Sequence, residues 1–138
     1  MDTPRFLVGF TVGVWDLFHD GHRNLLDYCA ARCDRLFVVV MTDYWTRVQK
    51  GHKRPAESEQ ARLRSVELHP SVYRAFLQDP DARVNGLDMT AYCRMSDVWF
   101  RGENQKNMLP VEPRIPVVYV PETPGVSTTL LIENGGPV

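Results

Sequence analysis

Two continuous apolar runs with a helical pattern between them constrain the fold of this 138-residue chain more than any other feature. Residues 6–12 read FLVGFTV and residues 36–41 read LFVVVM. Apolar, β-branched runs without alternation are typical of strands that are buried on both faces. The segment between them carries apolar residues at helical spacing, namely Leu25, Leu26, Cys29 and Cys33. The order is therefore strand, helix, strand.

The same alternation continues along the chain. It predicts strands near residues 72–77, 98–100 and 117–120, and helices near 58–68, near 87–92 and after Ser127. The expected fold class is α/β: a single Rossmann-like domain with a five-stranded, mostly parallel sheet and helices on both faces. Such sheets bind ligands beyond the carboxyl ends of their strands. The two long segments predicted as loops, 43–57 and 101–115, are where we expect function.

Composition narrows the class of protein. With 43% hydrophobic and 24% charged residues the chain suits one globular domain, expected at residues 1–134, with 135–138 as a tail or the start of a linker. No apolar run is long enough to span a bilayer and the first residues do not resemble a signal peptide, so we expect a cytoplasmic protein without membrane partners. A formal net charge of −1 argues against nucleic acid as a partner.

Three cysteines without paired or metal-finger spacing argue against a disulfide framework. Cys29 and Cys33 lie one helical turn apart, which suits a metal or oxidation in principle. Their apolar neighbours favour ordinary helix packing instead.

The loop after the first strand reads GVWDLFHDGH at residues 13–22. A helix that begins near Asp20 directs free backbone N–H groups and its positive dipole end toward this loop, which favours anions. His19 and His22 lie three residues apart on the first turn, and Gly21 between them leaves room for a bulky group. Two imidazole donors there suit a phosphate that gains charge during a reaction. The alternatives are a metal site, which lacks a third ligand at a recognisable spacing, and two solvated histidines in a turn.

A cationic cluster follows the second strand. It lies in the sequence KGHKRP at residues 50–55 and contains Lys50, His52, Lys53 and Arg54. A loop of this kind can fold over a triphosphate as a mobile lid. A solvated basic loop is the alternative.

Two later segments also carry groups suited to a nucleotide. In ETPGVSTTLL, residues 122–131, the hydroxyls of Ser127 and Thr128 open the last expected helix and either bind an anion or serve only as its cap. In RGENQKNML, residues 101–109, Gly102 permits close approach and Glu103 can accept hydrogen bonds from an amino group or a ribose hydroxyl. The alternative for this second segment is a flexible polar loop.

Together these stretches resemble the cytidylyltransferase-like branch of the HxGH nucleotidyltransferase superfamily, glycerol-3-phosphate cytidylyltransferases above all. GVWDLFHDGHRNLL is similar to the pattern GxFDxxHxGHxxLL, Thr42-Asp43 to a T-D pair, KGHKRP to a KGxxRP loop, and ETPGVSTTLL to a closing RTxGISTT segment. The four motifs occur in the family's order. They extend over most of the chain.

The resemblance implies that an acceptor phosphate oxygen attacks the α-phosphate of CTP and expels pyrophosphate, with Mg²⁺ on the phosphates. It assigns catalysis to His19, His22, Lys50, Ser127 and Thr128. It assigns nucleotide binding to Val12, Gly13, Val14, Trp15, Gly21, Arg62, Gly102, Glu103, Asn104, Thr123, Gly125 and Val126. It assigns substrate binding to Asp16, Asp43, Lys53 and Arg54, with Asp16 either holding the loop or orienting metal and acceptor. It assigns no protein ligand to a metal, and it implies a homodimer.

Two departures from the family pattern bear on the substrates. Glu122 and Pro70 stand where relatives carry arginines, and the candidate replacements are Arg64, Arg74, Arg101 and Lys106. We expect the acceptor to be a small alcohol that bears a phosphate or a phosphonate. The alternative is adenylyl transfer from ATP to a sugar phosphate, because the KGxxRP and GxSTT segments also resemble sugar-phosphate adenylyltransferases.

Two further classes of function stay open at this stage. One is a nucleotide-binding regulatory module without turnover, which the missing arginines suggest. The other is a tRNA-charging relative, which the absence of a KMSK-type loop and of a basic surface disfavours.

Overall fold

A computed structural model describes residues 5–51, 55–78, 89–103 and 114–124. Within these ranges the strands are β1 (Phe6–Gly13), β2 (Cys33–Val40), β3 (Arg74–Leu77), β4 (Val98–Gly102) and β5 (Val117–Val120). The helices are α1 (Asp20–Ala30), α2 (Asp43–Lys50), α3 (Glu59–Glu67) and α4 (Met89–Arg94).

The five strands form one sheet in the order β3-β2-β1-β4-β5, and every neighbouring pair is parallel. Strands β2 and β3 therefore lie on one side of β1, and strands β4 and β5 lie on its other side. The strand order reverses between β1 and β4, where Thr11 pairs with Phe100. A reversal of this kind opens a crevice at the carboxyl edge of the sheet, which is where α/β sheets bind ligands.

Apolar side chains cover both faces of the sheet. On one face, the buried side chains of Val38 and Phe100 pack in a cluster with Leu26 of α1 and Val66 of α3. On the other face, Phe10 and Trp99 stack with ring centroids 5.5 Å apart and form a cluster with Cys93 of α4. The expected fold class is confirmed: this is a single α/β domain of Rossmann-like type, and its sheet is entirely rather than mostly parallel.

The structure corrects the expectation of a continuous loop at residues 43–57, because Asp43–Lys50 forms helix α2. Thr42 is its N-cap and accepts the Trp45 N–H on its hydroxyl oxygen, 3.3 Å from the nitrogen. Gly51 ends the helix with φ of +95°, a conformation that glycine adopts readily. Threonine before a helix and glycine after it are common boundary signals.

Smaller differences concern the boundaries of elements. Strand β2 begins at Cys33, so this residue belongs to the strand instead of to the helix before it. Helix α4 lies two residues later than expected. All three cysteines are buried free thiols, in agreement with packing roles. The helix expected after Ser127 lies outside the described residues. Among the described residues, no helix has the length and apolar character needed to cross a lipid bilayer.

Candidate active site

The loop between β1 and α1 has an unusual backbone, because two of its non-glycine residues have positive φ. Trp15 and Leu17 have φ of 60° and 51°, both in the left-handed region. The Trp15 indole is buried and donates from Nε1 to the carbonyl oxygen of Val39, 3.1 Å away. Gly13 permits this placement, because a Cβ at that position would lie 2.8 Å from Cε2 of the indole. The end of β1 is thus shaped by Trp15 packing back onto β2.

The two histidines of the loop form a stacked pair at the start of α1. His19 is the N-cap, and its Nδ1 accepts the Gly21 N–H at 3.0 Å. The backbone N–H of His19 in turn donates to Nδ1 of His22 at 3.1 Å. The ring centroids are 3.8 Å apart. Because each Nδ1 accepts a backbone N–H, each neutral ring carries its proton on Nε2, and Nε2–H is a donor suited to a phosphate oxygen.

Burial keeps this pair uncharged. Burial, together with smaller effects of the neighbouring His19 and the Arg23 guanidinium, lowers the pKa of His22 to about 3. Burial also lowers the pKa of His19, followed by the effect of Arg23. The Phe18 ring stacks on His22 with centroids 5.5 Å apart. At neutral pH both rings are therefore neutral rather than cationic.

Arg62 of α3 lies beneath the site rather than in it. Its side chain has no exposed surface. Nη1 donates to the carbonyl oxygens of Val14 and Met41, both at 2.8 Å, and Nη2 donates to Asp43 Oδ1 at 2.6 Å. The position of Arg62 does not support the expected direct contact with nucleotide. Its contacts instead join the carboxyl ends of β1 and β2.

The carboxylates expected to bind substrate are also engaged within the protein. Asp16 is buried and accepts the N–H groups of Ala56 and Glu57, at 2.8 and 3.0 Å. Of the two roles that the sequence left open for Asp16, holding the loop is the one that these contacts match. The Asp43 carboxylate pairs with Arg62, and its side chain remains about one quarter exposed at 23%.

The other expected nucleotide contacts that the structure describes lie in β1, in the loop and helix after it, at the end of β4 or after β5. Val12, Val14 and Gly21 are half-buried near the first loop, and Gly102 ends β4 with Glu103 exposed after it. Thr123, which follows β5, accepts the Asn24 amide on its hydroxyl oxygen at 3.0 Å and so lies against α1. Lys50 is exposed at the end of α2, beyond β2. Seven expected site residues lie outside the described residues: Lys53, Arg54, Asn104, Gly125, Val126, Ser127 and Thr128.

Arg101 is the candidate replacement cation that the fold places at the crevice. It lies near the carboxyl end of β4, is buried, and has its guanidinium carbon 4.8 Å from the centroid of the Trp99 ring. Burial lowers its pKa. Arg74 begins β3 at the opposite edge of the sheet, and Arg64 is exposed on α3. Lys106 lies outside the described residues.

Sequence reasoning missed Glu57 and Gln78. The Glu57 carboxylate accepts the Leu17 N–H at 2.8 Å, and Gln78 accepts the Thr42 N–H at 2.7 Å on its amide oxygen. Both contacts support loops at the carboxyl edge. Each joins residues far apart in sequence, so no local pattern indicates either one.

The described residues offer no cluster of three or more His, Cys, Asp or Glu side chains that could hold a metal ion. Asp16 and Asp43, the two carboxylates expected to bind substrate, accept hydrogen bonds from protein N–H groups. This donor set does not form a dedicated magnesium cage.

A family model described as cytidylyltransferase-like matches residues 10–134. This chain belongs to the cytidylyltransferase-like family. Membership places it in the nucleotidyltransferase superfamily, in agreement with the HDGH loop and its stacked histidines. The resemblance drawn from the sequence motifs is thereby confirmed.

Individual relatives agree with this membership. The chain is 51% identical over 93 residues to the bifunctional protein HldE of Azorhizobium caulinodans, an alignment that covers 59% of this chain and 19% of that protein. It is 39% identical over 95 residues to the bifunctional protein HldE of Caulobacter vibrioides, with 60% and 20% covered. The chain therefore aligns with about one fifth of the length of these relatives.

One solved structure shares the fold. It is described as the lipopolysaccharide core biosynthesis protein from Thermoplasma volcanium and superposes with a TM-score of 0.64 at 25% sequence identity. The match covers 86% of this chain and 97% of that one. The likeness therefore extends over nearly the whole domain.

Proposed function

We propose that this protein transfers a nucleotidyl group from a nucleoside triphosphate to a small acceptor that bears a phosphate or phosphonate, with release of pyrophosphate. The observation that carries the proposal is the stacked pair of His19 and His22 at the start of α1. Both rings accept backbone N–H groups on Nδ1, which leaves an Nε2–H donor on each neutral ring. The start of α1 adds backbone N–H groups and a favourable dipole for an anion.

The reaction needs little covalent chemistry from the protein. An acceptor phosphate oxygen is already an anion at neutral pH, so it attacks the α-phosphorus directly, and the bond from that phosphorus to the bridging oxygen of pyrophosphate breaks. Negative charge develops on the α-phosphate oxygens and on the leaving pyrophosphate. Donors fixed in advance at those positions stabilise the transition state more than the ground state. His19 and His22 are the candidates for the α-phosphate.

The remaining expected residues supply position and charge around the phosphates. In this proposal, Lys50, Lys53 and Arg54 bind the triphosphate, and the hydroxyls of Ser127 and Thr128 donate hydrogen bonds to its oxygens. Mg²⁺ enters as part of the substrate, bound to triphosphate oxygens, because the described residues form no cage for it. Its charge offsets the negative charge of the phosphates.

The choice of nucleotide and acceptor has two candidates. The GVSTT segment favours CTP with a phosphorylated or phosphonylated alcohol. The relatives support the second candidate, ATP with a sugar phosphate, because the chain is similar to bifunctional HldE proteins and to a protein of lipopolysaccharide core biosynthesis, a saccharide product. Both candidates use the same histidine pair and differ in the pockets around it.

One assay tests the reaction and separates the candidates. Pyrophosphate release is measured with Mg²⁺ and either CTP or ATP against glycerol 3-phosphate, phosphocholine, phosphoethanolamine, sugar 1-phosphates and hydroxyalkylphosphonates. Release that requires one acceptor identifies both substrates. Nucleotide binding by calorimetry without release from any acceptor would contradict the proposal and would favour a regulatory module. Sedimentation in the same buffer tests the expected homodimer.

A further inference from the structure

The loop that carries the catalytic histidines is strained, so something must hold it in place. Trp15 and Leu17 both have positive φ, and a non-glycine residue in that region costs on the order of 1 kcal/mol. His19 follows only two residues after Leu17. A change in the backbone at Leu17 is therefore transmitted to the N-cap of α1 within one or two peptide units.

Residues 56–57 hold this loop through reciprocal hydrogen bonds. The Asp16 carboxylate accepts the N–H groups of Ala56 and Glu57, while the Glu57 carboxylate accepts the N–H of Leu17 at 2.8 Å. Each segment thus uses a side chain to bind the backbone of the other. We call this arrangement of Asp16, Leu17, Ala56 and Glu57 the loop clamp.

The loop clamp is itself anchored to α3. The Glu57 carbonyl oxygen accepts from Nε of Arg62 at 3.1 Å, and Nη1 of the same guanidinium donates to the Val14 carbonyl oxygen. The histidine loop is therefore bound at Val14, Asp16 and Leu17 by groups from residues 56–62.

We propose that Glu57 is a positioning residue, whose carboxylate fixes Leu17 and thereby sets the orientation of the His19 and His22 rings. The expected effect of Glu57 on the reaction rate rests on the proposed function, whereas its expected effect on the histidine rings does not. The Asp16 contacts go to backbone N–H groups, so they survive replacement of the Glu57 side chain. Removing the carboxylate therefore loosens one point of the clamp without removing the others.

Three variants test this role. Glu57→Ala removes the acceptor for Leu17, Glu57→Gln keeps an oxygen there, and Glu67→Ala removes an exposed carboxylate at the end of α3. The first readout is the ¹⁵N spectrum of the histidine rings, which reports whether the proton resides on Nδ1 or Nε2. We expect fixed Nε2–H signals for His19 and His22 in the native protein, in Glu57→Gln and in Glu67→Ala. In Glu57→Ala we expect the His19 signals to average between tautomers.

The second readout is the rate of the transfer reaction. Loss of a hydrogen bond to a charged group at the loop is expected to reduce kcat by about tenfold in Glu57→Ala while the KM for nucleotide changes by less than about threefold. Glu57→Gln should retain at least about one third of the native kcat. A lower melting temperature with native ring signals and native kcat would show that Glu57 is merely structural, and would overturn the proposal. If the native protein transfers no nucleotide, the proposed function fails, but the ring signals still decide the role of Glu57.

Discussion

The His19 ring stacks on the His22 ring with centroids 3.8 Å apart, and the backbone N–H of His19 donates to Nδ1 of His22. Protonation of His22 at Nδ1 would break this hydrogen bond. It would also place a charge beside His19 and Arg23 in a site enclosed by Trp15 and Phe18. The pair is thus built to stay neutral.

This neutrality predicts that acid destabilises the fold through His22. The unfolded chain binds a proton near pH 6.5, whereas folded His22 binds one only near its lowered pKa of about 3. Between these values the unfolded state binds more protons, so stability is full above about pH 6.5 and falls as the pH falls toward 3. We expect His22 to account for about 2 kcal/mol of lost unfolding free energy between pH 7 and pH 5.

Urea denaturation at both pH values measures this effect, with His22→Gln as the comparison. The glutamine oxygen can accept the His19 N–H but does not titrate. The variant should therefore lose about 2 kcal/mol less than the native protein over the same interval. Asp27, whose pKa is lowered mainly by its Ser71 hydrogen bond, contributes loss at acid pH in both proteins and cancels in the comparison. Equal losses in the two proteins would contradict the assignment.

Gly13→Ala is expected to displace the Trp15 indole. The new Cβ would lie 2.8 Å from Cε2, so the indole must move and its hydrogen bond to Val39 must lengthen. Overpacking of this kind costs about 1–3 kcal/mol. Chemical denaturation gives the cost, and near-ultraviolet circular dichroism reports the ring.

Gly51→Ala provides the contrast for that experiment. Gly51 has φ of +95° but no atom within 4 Å of an added Cβ. This variant should lower stability through backbone strain and leave the tryptophan signal native. A native spectrum for Gly13→Ala as well would show that the indole is not held as described.

Arg62→Met is expected to lower the free energy of unfolding by about 3–5 kcal/mol, because it leaves buried carbonyl oxygens and the Asp43 carboxylate without their donors. Arg62→Lys should restore less than half of this, since one ammonium cannot reproduce a planar fork of donors. Guanidinium denaturation measures both. Arg64→Met, at an exposed position of the same helix, should stay within about 0.5 kcal/mol of native. A small effect for Arg62→Met would contradict its role at the strand ends.

Arg62 is an example of a structural feature that the sequence alone does not predict. The apolar runs at residues 6–12 and 36–41 predict β1 and β2, because a strand that is buried on both faces of a parallel sheet has a nearly continuous apolar sequence. The histidine spacing likewise predicted a pair at the start of α1. No local sequence pattern indicates the burial of Arg62, since its acceptors come from residues 14, 41, 43 and 57, which meet only in the folded chain.

Helix α2 and Glu57 were missed for related reasons. The segment 43–50 is short and mostly polar, so it resembles a loop in composition. Tyr44, Trp45 and Val48 lie at helical spacing, however, and Thr42 and Gly51 are boundary signals of a helix. Glu57 acts on a backbone N–H forty residues away. The contact depends on the conformation of the β1–α1 loop. In that loop Trp15 and Leu17 have positive φ, which neither residue type predicts.

In the proposed reaction, the neutral histidine pair stabilises charge on a phosphate during nucleotidyl transfer. The most direct test is kcat for acceptor-dependent pyrophosphate release by His22→Ala, with His69→Gln as a control at a histidine outside the pair. Loss of one preorganised donor should reduce kcat by about 100-fold or more, while His69→Gln should stay within about twofold of the native rate. A native kcat for His22→Ala would contradict the account.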